Sequence, residues 1–257
     1  MTSVSIEQLP TSFAADLEQL GHAIAPRDLD GLPIYIGLTS ELPPEFAAES
    51  MGYTCPSLHS ALRGVLPDRG PGPAVVLDDL RAGADTRKML PGIGDAKLRR
   101  YVADTLTGTF LHELAHVLET DEPFSLTPRD QLFGIAFREA LAAHHVKERR
   151  QVAATGRPIA PDLVMHGLTF TRIALHVLNR AARLGIAVPP AEVCASIRYV
   201  MSDAQRYESC LWPELEQLAD APFAEIRRAP APYFFQALYD ADVRRRVERE
   251  TLFPVPC

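Results

Sequence analysis

Cysteine, net positive charge and long apolar runs are all scarce in this chain of 257 residues. The four cysteines, Cys55, Cys194, Cys210 and Cys257, are widely spread and form no CxxC pair. That spacing offers neither a disulfide framework nor a thiolate zinc ribbon, and it fits reduced, structural thiols. No stretch approaches the roughly eighteen uninterrupted apolar residues of a membrane-spanning helix. The opening MTSVSIEQLP lacks the basic start and apolar run of a secretory leader, so the expectation is a cytoplasmic protein with no membrane partner. A net charge of -7 argues against a general nucleic-acid surface, because the phosphate backbone is held mostly by clustered Lys and Arg. The one basic run, Arg244 to Arg246, is interleaved with Asp242, Glu248 and Glu250 and reads as a solvated helix face.

What the chain does have is apolar content, 47% of its residues, enough to bury a real core in one large domain or a domain with an extension. Two short segments, PIYIGL (Pro33 to Leu38) and PAVVLDD (Pro73 to Asp79), are rich in β-branched or aromatic residues, are bounded by Gly or Pro, and read as strands. Turn-rich stretches, LPDRGPGP and LPGIGD, lie around the second of them. The Pro- and Gly-containing stretch between Gly64 and Gly94 is expected to be a passive surface loop rather than a lid over the cleft.

From about Asp95 the pattern turns helical. Leu98, Tyr101, Val102, Leu106, Phe110, Leu114 and Val117 recur at three- and four-residue spacing, which predicts one buried stripe through residue 119. A second helix is expected to open with Thr127 as N-cap and Pro128 at its first position, running through FREALAAHHVKERR. A third follows His166 through FTRIALHVLNRAARLG and stops near Gly185. Further helices broken by prolines are expected from Pro189 to about Glu250.

Inside the first helix stands FLHELAHVLE, with His112 and His116 four residues apart and Glu113 directly after the first histidine. On a helix, residues at this spacing share a face, so two imidazoles can meet one ion while a carboxylate stands beside them. The chemistry explains the pattern: neutral imidazoles bind zinc, the metal acidifies a coordinated water, and the adjacent carboxylate takes its proton. From the chain's own His and Glu frequencies, the bare HExxH pattern has a chance of roughly 1 to 2% of arising by accident. Its place inside an amphipathic helix lowers that further.

FLHELAHVLE resembles the active-site helix of the zincin superfamily of metallopeptidases. The resemblance implies an α+β fold, with a mixed sheet beside the HExxH helix and an edge strand that receives an extended substrate; PAVVLDD is the segment expected to belong to that sheet. It implies a zinc-dependent peptidase acting on a peptide or protein, with His112 and His116 on Zn2+ and Glu113 as general base. A catalytic zinc also needs a third protein ligand and an open position. Three places compete. The metzincin pattern would need a glycine at position 119 and a ligand at 122, where this chain has Glu119 and Glu122. Glu139 in FREALAAHH resembles the glutamate helix of gluzincins. His166 in MHGLTF, with Gly167 and Phe170, resembles the HGxxF segment of SprT-like metallopeptidases, although here about fifty residues separate it from His116. His166 is preferred, with Glu139 as the alternative.

Other polar residues carry plainer expectations. His176 reads as a core histidine, Arg172 and Arg180 as surface or salt-bridging arginines, and Glu119 as an acceptor for an imidazole N–H. Residues 1–188 are expected to form the zincin-like domain, with 189–257 a helical C-terminal extension packed on it. The competing expectation is a non-catalytic, metal-stabilised binding or regulatory module.

Overall fold

The computed structural model describes residues 9, 12–46, 51–54, 58–62, 64–119, 168–186, 188 and 213–229. The chain forms two compact units, Met1–Ile135 and Ala136–Cys257. The expected boundary after residue 188 adjoins residues outside this set. Among the described residues the architecture is mixed α+β, mostly helical, with a small mixed sheet of three strands.

In the first unit, α1 (Phe13–Ile24) buries Phe13, Leu17, Gly21 and Ile24, the three- and four-residue recurrence of an amphipathic helix. The strands β1 (Tyr35–Leu38), β2 (Gly52–Thr54) and β3 (Ala74–Leu77) are ordered β1-β3-β2. β1 runs parallel to β3, Tyr35 facing Ala74 and Leu38 facing Leu77, whereas β2 runs antiparallel to it, Gly52 facing Leu77 and Thr54 facing Val75. Every residue of β1 and β3 is buried. A strand covered on both faces needs a continuous apolar run rather than alternation, which is what YIGL and AVVL supply. α1 packs on β1, and the short α2 (Leu58–Leu62) packs on β1 and β3.

β3 leads directly into α3 (Asp79–Met89). Asp78 is its N-cap, the carboxylate accepting from the Arg81 amide at 2.9 Å and from the Thr39 hydroxyl at 2.9 Å. Asp79 accepts from the Ser40 amide at 3.0 Å, so the buried acidic pair ties the end of β1 to the start of α3. The stretch between Gly64 and Gly94 holds the expected strand and, in place of a passive surface loop after it, the helix α3; only its ends are turns, with Gly70 and Gly92 at positive φ. At the near end Arg69 grips the Glu18 carboxylate with contacts of 2.9 and 2.7 Å and donates to the Ile34 carbonyl at 2.9 Å, joining that turn to α1 and β1.

After the Gly92 turn comes α4 (Asp95–Glu119), a helix of 25 residues packed against α1, α3, β2 and β3. Leu98, Val102, Leu106, Phe110, Leu114 and Val117 are buried as the periodicity predicts, but Tyr101 is 51% exposed. It lies three residues from Leu98 and one from Val102, at the margin of the stripe, where its ring reaches water.

The second unit is built on α5 (Leu168–Arg183), which buries Phe170, Ile173, Ala174, Val177, Leu178 and Ala181. It ends as expected at Gly185, whose φ of +83° lets the Ile186 amide return to the Ala181 carbonyl at 2.9 Å and the Gly185 amide to Ala182 at 2.9 Å. Two short helices, α6 (Pro213–Glu216) and α7 (Phe223–Arg228), pack on α5. Arg172 donates to the carbonyls of Arg227 and Ala229 at one end of α7, and Arg180 donates to that of Ala221 at the other, its guanidinium 4.3 Å from the centre of the Phe223 ring. Arg172 and Arg180 are thus buried clamps on backbone carbonyls, not surface arginines. The helix expected from Thr127 to Arg150 lies outside the described residues.

Candidate metal centre

Two elements position the HELAH segment, and a missing side chain lets them approach. Gly52 of β2 lies beneath Thr109 of α4: a Cβ at position 52 would stand 2.6 Å from Thr109 Cγ2 and 3.0 Å from the Val76 carbonyl oxygen. Any larger residue would push the helix off the strand. One helical turn further, Glu113 lies on the same face of α4 as Thr109, while Thr54 lies on the same side of β2 as Gly52. Four residues of helix rise about 6 Å and two residues of strand about 6.6 Å, so the two elements stay in step and Glu113 reaches the Thr54 amide.

That amide belongs to a sheet edge. The Asp78 amide donates to the Met51 carbonyl at 2.8 Å, and in the antiparallel register the next hydrogen-bonded pair is Tyr53 with Val76. Gly52 and Thr54 therefore direct their backbone N–H and C=O groups away from β3, beside the helix that carries the motif.

Glu113 is buried, 6% exposed. Burial pushes its carboxyl up from 4.5 to about 7, while the His116 ring and the Thr54 amide pull the other way. A carboxyl so placed exchanges its proton near neutral pH. His112 and His116, by contrast, are half-buried and stand at the surface of the unit. Their ring centres are 5.0 Å apart with planes at 78°. His116 also has a carboxylate neighbour on its other side, with Nδ1 3.6 Å from Oε2 of Glu119.

The donor pair fits a zinc ion in chemistry and in spacing. A zinc–nitrogen bond of about 2.0–2.1 Å plus roughly 1.2 Å from nitrogen to ring centre puts each centroid about 3.2 Å from the ion. Two such rings at a near-tetrahedral angle stand about 5 Å apart, as these do. Among the described residues no group of three or more His, Cys, Asp or Glu is placed to hold a metal ion. Both expected third ligands, His166 and Glu139, lie outside the described residues, as does Glu122.

Other described histidines are placed elsewhere. His22 is on α1, 3.8 Å from Glu18. His176 is in the second unit, 1% exposed, with its basicity lowered to about 4 by burial and by Arg180 and Arg172. It is a core histidine, as read from the sequence. Tyr101, half exposed, is on the outer side of α4.

Two participants escaped the sequence reading, β2 and its residue Thr54. Gly-Tyr-Thr is too short to show a period, and the glycine that makes the close approach possible lowers strand propensity. No described helix is long and apolar enough to cross a membrane. Comparison with protein families, curated proteins and solved structures finds no match for this chain.

Proposed function

We propose that the protein is a zinc-dependent metallohydrolase of zincin-like architecture, acting on peptide bonds. The observation that carries this reading is the placement of His112 and His116 one turn apart with ring centres 5.0 Å apart, flanking a buried Glu113. His112 and His116 would hold the ion, with His166 as third ligand and Glu139 as the alternative. Bound zinc would supply Lewis acidity, acidifying a coordinated water and polarising the scissile carbonyl. Glu113 would take a proton from the attacking water and return it to the leaving amine; its position near neutral proton affinity suits both transfers.

The peptide preference rests on β2. Among the described residues it is the edge strand of the sheet and it packs against the helix that bears the motif, so an extended chain lying along that edge would place a scissile bond beside the helix. The whole protein, purified and assayed for zinc and for hydrolysis of an unfolded protein substrate, tests the reading. Near one zinc per chain is expected, with Glu113→Gln keeping the metal and losing turnover. The variant among His166→Ala and Glu139→Ala that loses zinc names the third ligand. A wild-type protein that binds no zinc, or a Glu113→Gln variant that still hydrolyses, would sink the proposal.

A further inference from the structure

Resting on that metal reading, we propose that Glu119 is a positioning residue: its carboxylate holds His116 by Nδ1, leaving Nε2 as the nitrogen that faces the ion. An imidazole has two nitrogens, and the one engaged by a neighbour decides which the other side meets. Here the neighbour is on the same helix. Glu119 follows His116 by three residues, the spacing that brings side chains together on a helix surface, and its Oε2 stands 3.6 Å from Nδ1. A shift of about 0.6 Å would bring that ion-pair contact to hydrogen-bond length.

The other carboxylate of the motif has a different task. Glu113 is turned to β2 and the Thr54 amide, whereas Glu119 and His116 are partly open to water, with side-chain exposures of 32% and 25%. The two rings stand 5.0 Å apart with planes at 78°, so a rotation of His116 alone changes where the pair can meet one ion. A contact that fixes the His116 ring therefore fixes the pair. Glu119 touches no substrate in this scheme and acts only through the histidine.

The test uses the full chain with Glu119→Ala and Glu119→Gln. Zinc affinity is measured at neutral pH by competition with a chromophoric chelator, and the His116 tautomer is read from long-range proton–nitrogen NMR of the metal-free protein. Alanine should weaken zinc binding by about 10- to 100-fold. Wild type should show the Nδ1–H tautomer, and glutamine, which keeps an acceptor oxygen, should restore most of the affinity and that tautomer. Because Glu119 is partly exposed, both metal-free variants should melt with wild type, which separates this effect from misfolding.

Wild-type affinity in the alanine variant overturns the proposal, as does a glutamine variant that loses as much as alanine, since the carboxylate would then act as a ligand. A wild-type chain that binds no zinc overturns the metal reading itself. The tautomer spectrum then still decides whether Glu119 orients His116.

Discussion

Replacing Glu113 by glutamine should move activity and stability in opposite directions. The carboxyl is 6% exposed, and burial raises its proton affinity from 4.5 to about 7 in the folded chain. At about 1.4 kcal/mol per tenfold, that gap corresponds to about 3 kcal/mol. Because the folded value is the higher one, the favourable contribution is complete below about pH 4.5 and is lost as pH rises through about 7. Above that, metal-free protein must keep an ionised carboxylate buried. Glutamine has no charge to bury. The metal-free variant should therefore match wild type at pH 4.5 and exceed it by about 2–3 kcal/mol at pH 8. Hydrogen exchange of the α4 amides, followed in urea at both pH values, reads the first unit without interference from the second. The same preparation loaded with zinc should show no hydrolysis. Parallel pH curves for the two proteins, or a variant less stable at pH 8, would refute the assignment of Glu113 as a buried base.

Other perturbations test the frame around the site. Gly52→Ala should cost about 1–3 kcal/mol and lower activity by displacing α4, and Thr109→Ala should recover part of both, since Thr109 Cγ2 is the nearest atom to the new methyl while the Val76 carbonyl remains. A double-mutant cycle measures that coupling. Acid should weaken the second unit: His176 is neutral when folded, with its value lowered to about 4 from 6.5, so stability is lost by about 3 kcal/mol as pH falls across that window. His176→Phe should abolish this slope in acid-unfolding curves followed by exchange at α5.

How much of this was legible in the sequence depended on how each element is held. β1 and β3 are buried on both faces and so carry continuous apolar runs, which single sequences reveal well. α4 and the Gly185 stop of α5 were legible because a core-facing helix writes its period into the chain, and because a positive φ calls for glycine. α3 was missed: DLRAGADTRKM is polar, buries only Asp79, Ala82, Gly83 and Thr86, and follows a proline- and glycine-rich turn that reads as loop. Its one local signal was Asp78 as N-cap, visible only once β3 is known to end there. In the candidate site, His112, Glu113 and His116 were legible from spacing alone. Thr54 was not, because its part depends on strand register, which is a tertiary property. Arg172 and Arg180 were misread because a buried arginine serving backbone carbonyls has no sequence pattern of its own.

The topology also sets an order of assembly. His112 and His116 are neighbours on one helix, so their spacing arises with the helix–coil transition, on the order of a microsecond. The strand beneath Glu113 depends instead on β3, which joins Tyr35 to Ala74 and Gly52 to Leu77 across long loops that close slowly. A nascent chain would thus offer its paired imidazoles to the medium before the carboxylate between them is enclosed. If zinc binds there as proposed, its capture would precede, and help nucleate, the docking of helix on sheet.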